Sequence, residues 1–156
     1  MMTHRPAWLV TLLLGALSLM LCIAGCKSGP EIPPPEPMPE GGSFEGVWYS
    51  PQFEQMYLRQ NGDTVSGIYT YKYGGTIEGK VEGDLLVFRW IDPGQADKAR
   101  RTLKGSGYFK MGRDENDNLT LVGSWGYNDD YFGGGPWEAQ YIRELDASDP
   151  HNIGAF

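Results

Sequence analysis

Between Phe44 and Glu144 the chain is cut into short segments of alternating apolar and polar residues, and the separators between them are turn sequences: Asn61-Gly62-Asp63, Gly83-Asp84, Asp92-Pro93-Gly94 and Asp114 to Asn118. This spacing constrains the fold more than any other feature. A period of two places successive side chains on opposite faces, whereas a helix needs an apolar stripe at a period of 3.6, and no such stripe of useful length occurs here. The pattern predicts eight strands: Phe44 to Ser50, Glu54 to Gln60, Thr64 to Tyr71, Gly75 to Glu82, Asp84 to Ile91, Arg101 to Met111, Leu119 to Tyr127 and Trp137 to Glu144. Short connections throughout favour an all-β, antiparallel, up-and-down meander over a Greek key, which needs a long crossover. An even number of strands lets the meander close into a barrel that has no free edges.

Glycine placement points the same way. Gly46, Gly67, Gly79, Gly105, Gly107 and Gly123 fall inside predicted strands, where glycine weakens a sheet unless the strand must bend or another group must come close. Small coiled barrels need both, with aromatic rings covering the bare backbone.

Three strands repeat one another: Val65-x-Gly67-x-Tyr69, Leu86-x-Phe88-x-Trp90 and Leu121-x-Gly123-x-Trp125. Each trio lies on one face, taken here as the inner one. As the third, fifth and seventh strands of an up-and-down barrel they run parallel, so Tyr69, Trp90 and Trp125 are expected to gather at one mouth. An eight-stranded barrel has room for side chains or for one small ligand. The rings can therefore line a pocket or fill the core. The Asn128 to Pro136 stretch is read as a linker or as a lid whose Tyr131 and Phe132 cover that mouth. Asp114 to Asn118 alternates oxygen side chains like a calcium loop, but it lacks the sixth-position glycine and has Trp125 where a bidentate glutamate belongs. It is read as a polar turn, and no metal site is expected.

Outside the barrel the chain divides further. Residues 1–25 have the layout of an export signal: a basic start with Arg5, an apolar run from Ala7 to Leu21, and small Ala24 and Gly25 before Cys26. Ile23-Ala24-Gly25-Cys26 resembles the lipobox of bacterial lipoproteins, which implies cleavage before Cys26, lipidation of that sulfur and attachment to a membrane. Lys27 follows the cysteine where an aspartate resembles an inner-membrane retention signal, so the resemblance implies the outer membrane. Residues 26–43 carry six prolines with glutamates between them and are expected to form an extended spacer of about 50 Å at ~3.1 Å per residue. Residues 44–144 form the barrel, and 145–156 are expected to be a loose tail.

Composition excludes whole classes of chemistry. The two cysteines are Cys22, in the signal, and Cys26. The two histidines are His4, also in the signal, and His151 in the tail. A mature chain has no thiol or histidine in its folded part for nucleophilic catalysis or a zinc site, and the protein is read as non-enzymatic and without a cofactor. The net charge of −7 falls further once Arg5 is removed, so no nucleic-acid partner is expected. One basic group, Lys98, Arg100, Arg101 and Lys104, is read as a solvated edge that discourages strand pairing.

Gly46-Val47-Trp48-Tyr49-Ser50, Val65-Ser66-Gly67-Ile68-Tyr69 and the tryptophans ending the fifth and seventh strands resemble the avidins and, more loosely, the calycin superfamily with its lipocalins. The likeness covers Phe44 to Arg143. It implies that Trp48 packs beneath Arg143 to close the barrel floor and that Tyr69, Trp90 and Trp125 clasp a ligand. Trp137 resembles a tryptophan lent to a neighbouring subunit, and Ser50 and Tyr71 stand where the ligand's polar end is met. The asparagine and aspartate that hold biotin in avidins have no counterpart, so biotin is not the expected ligand. The expected function is the binding of a small apolar or amphipathic molecule. The alternative is a structural or inhibitory role through loop contacts with another envelope protein.

Overall fold

The computed structural model describes residues 29–94 and 101–149, so the export signal, Cys26, Lys98, Arg100 and His151 lie outside the described residues. Eight antiparallel strands are joined in sequence order: β1 (Gly46–Ser50), β2 (Glu54–Asn61), β3 (Thr64–Tyr69), β4 (Gly75–Glu82), β5 (Leu85–Asp92), β6 (Leu103–Arg113), β7 (Leu119–Tyr127) and β8 (Gly135–Arg143). They form a closed up-and-down barrel in which β8 pairs back onto β1. Each predicted strand is present within about two residues of its expected ends. Every strand pairing closes within Gly46 to Arg143.

Alternation sets the inner face. The buried core includes Trp48, Met56, Leu58, Val65, Ile77, Leu86, Phe88, Phe109, Leu121, Trp137 and Ala139, and the register pairs most of these residues with other core residues or with glycines. Phe88 has Gly79 opposite it on β4 and Gly107 opposite it on β6. A Cβ at Gly107 would stand 2.5 Å from the tip of the Phe88 ring, and one at Gly79 would collide with the Val87 carbonyl and sit 2.7 Å from Phe88 Cβ. The ring occupies the space that these two residues leave empty.

The two ends of the barrel differ. At one end the segment before β1 folds back and closes the floor. Glu36 donates its backbone N–H to Asp84 Oδ1 at 2.8 Å and accepts from the Asp84 N–H at 2.8 Å. Lys110 reaches Asp84 at 3.1 Å, Glu36 at 3.3 Å and the Pro34 carbonyl at 3.0 Å. Burial pushes the Lys110 ammonium down, but Asp84 and Glu36 more than offset this and hold it above the ordinary lysine range. Gly83, at φ +55°, supplies the tight turn, and any side chain there would strike the Glu36 carbonyl. Met38 packs on the core, and Arg113 donates to the Glu40 carbonyl. The proline-rich segment is therefore not a free spacer from Pro34 onward. Its composition suggested extension, and extension is the shape in which its backbone groups can pair with the barrel's end.

Two further expectations fail at this end. Trp48 does not meet Arg143. Its indole donates to the Phe44 carbonyl at 3.0 Å and packs edge-on against Tyr141. The β1–β8 register slips between Val47 and Trp48, so Arg143 pairs with Val47 while Tyr141 takes the place beside Trp48. Arg143 instead makes a two-pronged ion pair with Asp149, at 2.6 and 2.9 Å. That pair ties down residues 145–149, which are not loose. Asp149 is buried and accepts the Asp146 N–H as well.

Gly79→Ala and Gly107→Ala should each cost about 1–3 kcal/mol, the range for overfilling a packed core. Phe88→Leu should recover part of the Gly107→Ala loss and none of the Gly79→Ala loss, where the obstruction is backbone. Urea denaturation of the single and double variants checks this, and equal coupling in both pairs would contradict it. Asp84→Ala should release the floor strap. Digestion by a glutamate-specific protease should then cut after Glu40, which Gly41 follows, at least about tenfold faster while the barrel still melts cooperatively, because opening of the strap would no longer cost its charge-assisted hydrogen bonds.

Candidate functional site

At the other end β1–β2, β3–β4, β5–β6 and β7–β8 connect, and the barrel opens into a cavity of about 430 Å³. Its walls are aromatic. Tyr69, Trp90 and Trp125, expected to converge from β3, β5 and β7, all line it, as do Trp137 and Tyr71. Three of these rings lie close against bare backbone. A side chain at Gly75 would overlap Tyr69, one at Gly105 would overlap Trp90, and one at Gly134 would overlap Trp125. Held flat to the wall, the rings leave the axis open. On one side Trp90, Trp125 and Tyr127 form a mutual edge-to-face triangle with centroids 5.3–5.7 Å apart, the arrangement that ring quadrupoles favour.

Ser50 does not line the cavity. It is fully buried and organises the β1–β2 turn: its hydroxyl accepts from the Gln52 and Phe53 N–H groups and donates to Gln52 Oε1. Gln52 Oε1 also accepts from the Glu138 N–H at 3.2 Å, which joins the turn to β8. Trp137 is only 1% exposed and lies inside its own barrel, so it is not presented to a neighbouring subunit. The alternation of β8 turns it inward between Phe53, Phe88 and Phe109.

Several lining residues were not anticipated. Asp92 and Tyr127 continue the same inward parity one step beyond Trp90 and Trp125 and were legible by extending that alternation. Asp92 is buried and accepts from the Gly94 N–H at 3.0 Å. Lys72 stands at the rim with its ammonium 4.8 Å over the Tyr71 ring, an attraction between cation and ring face. Phe53 was the hardest to foresee, being an aromatic ring in a turn.

The β7–β8 connection is not a lid. Asp130 accepts from the Phe132 and Gly133 N–H groups, Ser124 donates to the Tyr131 carbonyl, and Gly134 donates to the Trp125 carbonyl. Arg89 pairs with Asp129 at 2.7 Å and donates to the Asn128 carbonyl. Phe132 packs on Tyr108, on the outer wall. These bonds fold residues 128–133 down the outside of β5 to β7, while Gly134 stays at the cavity wall against Trp125. Asp114 anchors its turn by accepting from Asn116 and Asn118, and the Asn118 bonds hold its carboxyl below the usual carboxylate range. Of the basic group, Arg101 and Lys104 are exposed. Among the described residues no three His, Cys, Asp or Glu side chains gather so as to hold a metal ion.

The buried indoles divide by hydrogen bonding. Trp48 donates to the Phe44 carbonyl, and Trp90 donates to the Gly126 carbonyl at 3.1 Å. Trp137 Nε1 is buried with no acceptor. An unpaired buried donor costs about 1–3 kcal/mol. Comparison with family models, with curated proteins and with solved structures returns no match, so the site is read on its own chemistry.

Trp137→Phe removes a donor that has no partner, whereas Trp48→Phe leaves a buried carbonyl unpaired. The first should therefore destabilise by about 1 kcal/mol or more less than the second. Chemical denaturation of both variants measures the difference, and an equal or larger loss at Trp137 would show that its N–H is satisfied.

Proposed function

We propose that this is a lipid-anchored protein of the bacterial cell envelope, on the outer membrane, that holds a small amphipathic molecule in the barrel mouth without transforming it. The observation that carries this reading is the aromatic-walled cavity. About 430 Å³ falls within the roughly 300–1,000 Å³ typical of small-molecule sites, which are apolar with a few placed polar groups. Tyr69, Trp125 and Trp137 offer ring faces and edges to an apolar body, while Lys72 and Asp92 offer charge to a polar end. The calycin resemblance supports the same reading.

The docked strap gives the proposal an orientation. Cys26 precedes Pro34 by eight residues, a reach of about 25 Å in extended geometry, and Pro34 is bound at the floor. A lipid on Cys26 would therefore sit on the floor side, with the mouth facing away from the bilayer and toward solutes. A second reading, contact with another envelope protein, is favoured by Tyr73, Ile91, Leu103 and Tyr127, large apolar side chains that are exposed near the same opening.

The chain from Lys27 onward, titrated with 8-anilinonaphthalene-1-sulfonate, should show saturable one-to-one binding, with Trp90→Ala and Trp125→Ala each weakening it about tenfold or more, equivalent to ~1.4 kcal/mol. Lys72→Ala should weaken it by a smaller factor. Binding that both tryptophan variants leave unchanged would remove the carrier reading. Retention of a membrane protein partner by those same variants would favour the second.

A further inference from the structure

One residue stands between the open cavity and the packed interior. Phe53 comes from the three-residue turn between β1 and β2, and its ring lines the cavity. It lies over Trp137 at 4.1 Å between centroids, tilted by 37°, and meets Tyr69, Tyr71 and Trp125 edge-on at 5.4–5.8 Å. It is only partly buried, while the indole beneath it is almost wholly so. Tyr69, Trp90, Trp125 and Trp137 are delivered by strands whose register fixes them, whereas Phe53, like Tyr71, comes from a connection between strands.

That turn is strained where it rejoins the sheet. Glu54, the next residue, has φ +63°, a left-handed conformation that non-glycine residues adopt at a cost of about 1–3 kcal/mol. The indole that the Phe53 ring lies over, that of Trp137, has its nitrogen buried without an acceptor, alone in this among the indoles of the described residues. A strained hinge, a ring whose contacts are other rings, and an indole beside it with an unpaired donor coincide at one place.

We propose that Phe53 is a displaceable plug that occupies the position of the natural ligand's ring, and that this ligand is a flat aromatic molecule with a hydrogen-bond acceptor on its edge, which Trp137 Nε1–H satisfies once Phe53 withdraws. The proposal rests on the carrier reading and narrows it to a ligand class. Chemically the exchange is one ring for another among Tyr69, Tyr71, Trp125 and Trp137, so the apolar contacts nearly cancel. The gain that favours the guest is the hydrogen bond that phenylalanine cannot make. While the plug is in, the apparent affinity is reduced by the fraction of molecules in which it is out.

Quinoline and naphthalene test this, being near-identical in shape and differing in one ring nitrogen acceptor. In the chain from Lys27 onward, within which the barrel and its strap are complete, Phe53→Ala should tighten binding of both compounds by about tenfold or more. The preference for quinoline over naphthalene should fall by about threefold to tenfold in Phe53→Ala/Trp137→Phe, as expected for loss of one hydrogen bond. Phe53→Leu, which retains an apolar plug, guards against a folding defect and should give an intermediate affinity. In the wild-type protein the Trp137 indole N–H proton resonance, identified by its absence in Trp137→Phe, should move downfield with saturating quinoline and not with naphthalene. Wild-type binding that Phe53→Ala leaves unchanged overturns the plug and leaves the carrier reading intact. A quinoline preference indifferent to Trp137 overturns the ligand class. Failure of every variant to bind either compound overturns this proposal, and it reaches the carrier reading only if the sulfonated probe also fails.

Discussion

The contact on which the rest of this barrel depends is a large ring laid over bare backbone. An eight-stranded barrel is too narrow to hold a ring at every inward position of a layer, and the chain resolves this by alternating bulk with absence. Phe88 is flanked by Gly79 and Gly107, and Trp137 faces Gly123 across the β7–β8 ladder. At the floor Tyr141 covers Gly46. Each pairing does two things at once. The glycine lets the strand coil and gives up volume, and the ring repays the lost burial at about 25 cal/mol for each Å² of apolar surface removed from water. Because the rings interlock edge to face, the middle of the barrel is packed and only its ends are left to differ.

They differ in how they are closed. The floor is closed by chain: the strap holds Asp84 and Lys110, Met38 reaches the core, and the Arg143–Asp149 pair fixes the residues after β8. These are backbone hydrogen bonds and charge-assisted contacts, directional and tied to particular partners. At the mouth the connecting turns are hydrogen-bonded to the strands, but the Phe53 ring itself meets only other rings, contacts that another ring can reproduce. Displacing that ring breaks no side-chain hydrogen bond, since phenylalanine makes none.

How much of this the chain announces depends on the range of the interaction. Strand positions follow from alternation and turn residues, both local, and the Asn61-Gly62-Asp63 and Gly83-Asp84 turns fall where composition puts them. The convergence of Tyr69, Trp90 and Trp125 was legible because parity and strand order fix it without reference to distance. What was not legible depends on single side chains acting across the sequence. Asp84 captures Glu36 from 48 residues away, and nothing in a proline-rich stretch marks it as bound. Asp130 turns an apparent lid into a clamp on the outer wall through two short-range bonds. A one-residue slip between Val47 and Trp48 moves Arg143 out of the barrel and tyrosine in, and alternation alone gives no sign of a bulge.

The position of Phe53 follows from the same logic that governs the rest of the interior. A mouth lined by Tyr69, Trp90 and Trp125, each pressed to the wall by a glycine neighbour, leaves a void on the axis, and a void forfeits dispersion contacts on every atom that faces it. A barrel selected only for packing could fill that void with a strand residue, held in register and buried. This chain fills only part of it, and from a turn, beside a left-handed glutamate and against an indole whose N–H is unpaired, features that each subtract from stability. Local rules broken together, without an evident structural return, mark the place where folding has yielded to another demand. In this molecule that place is the mouth, the end to which the proposed ligand site is assigned.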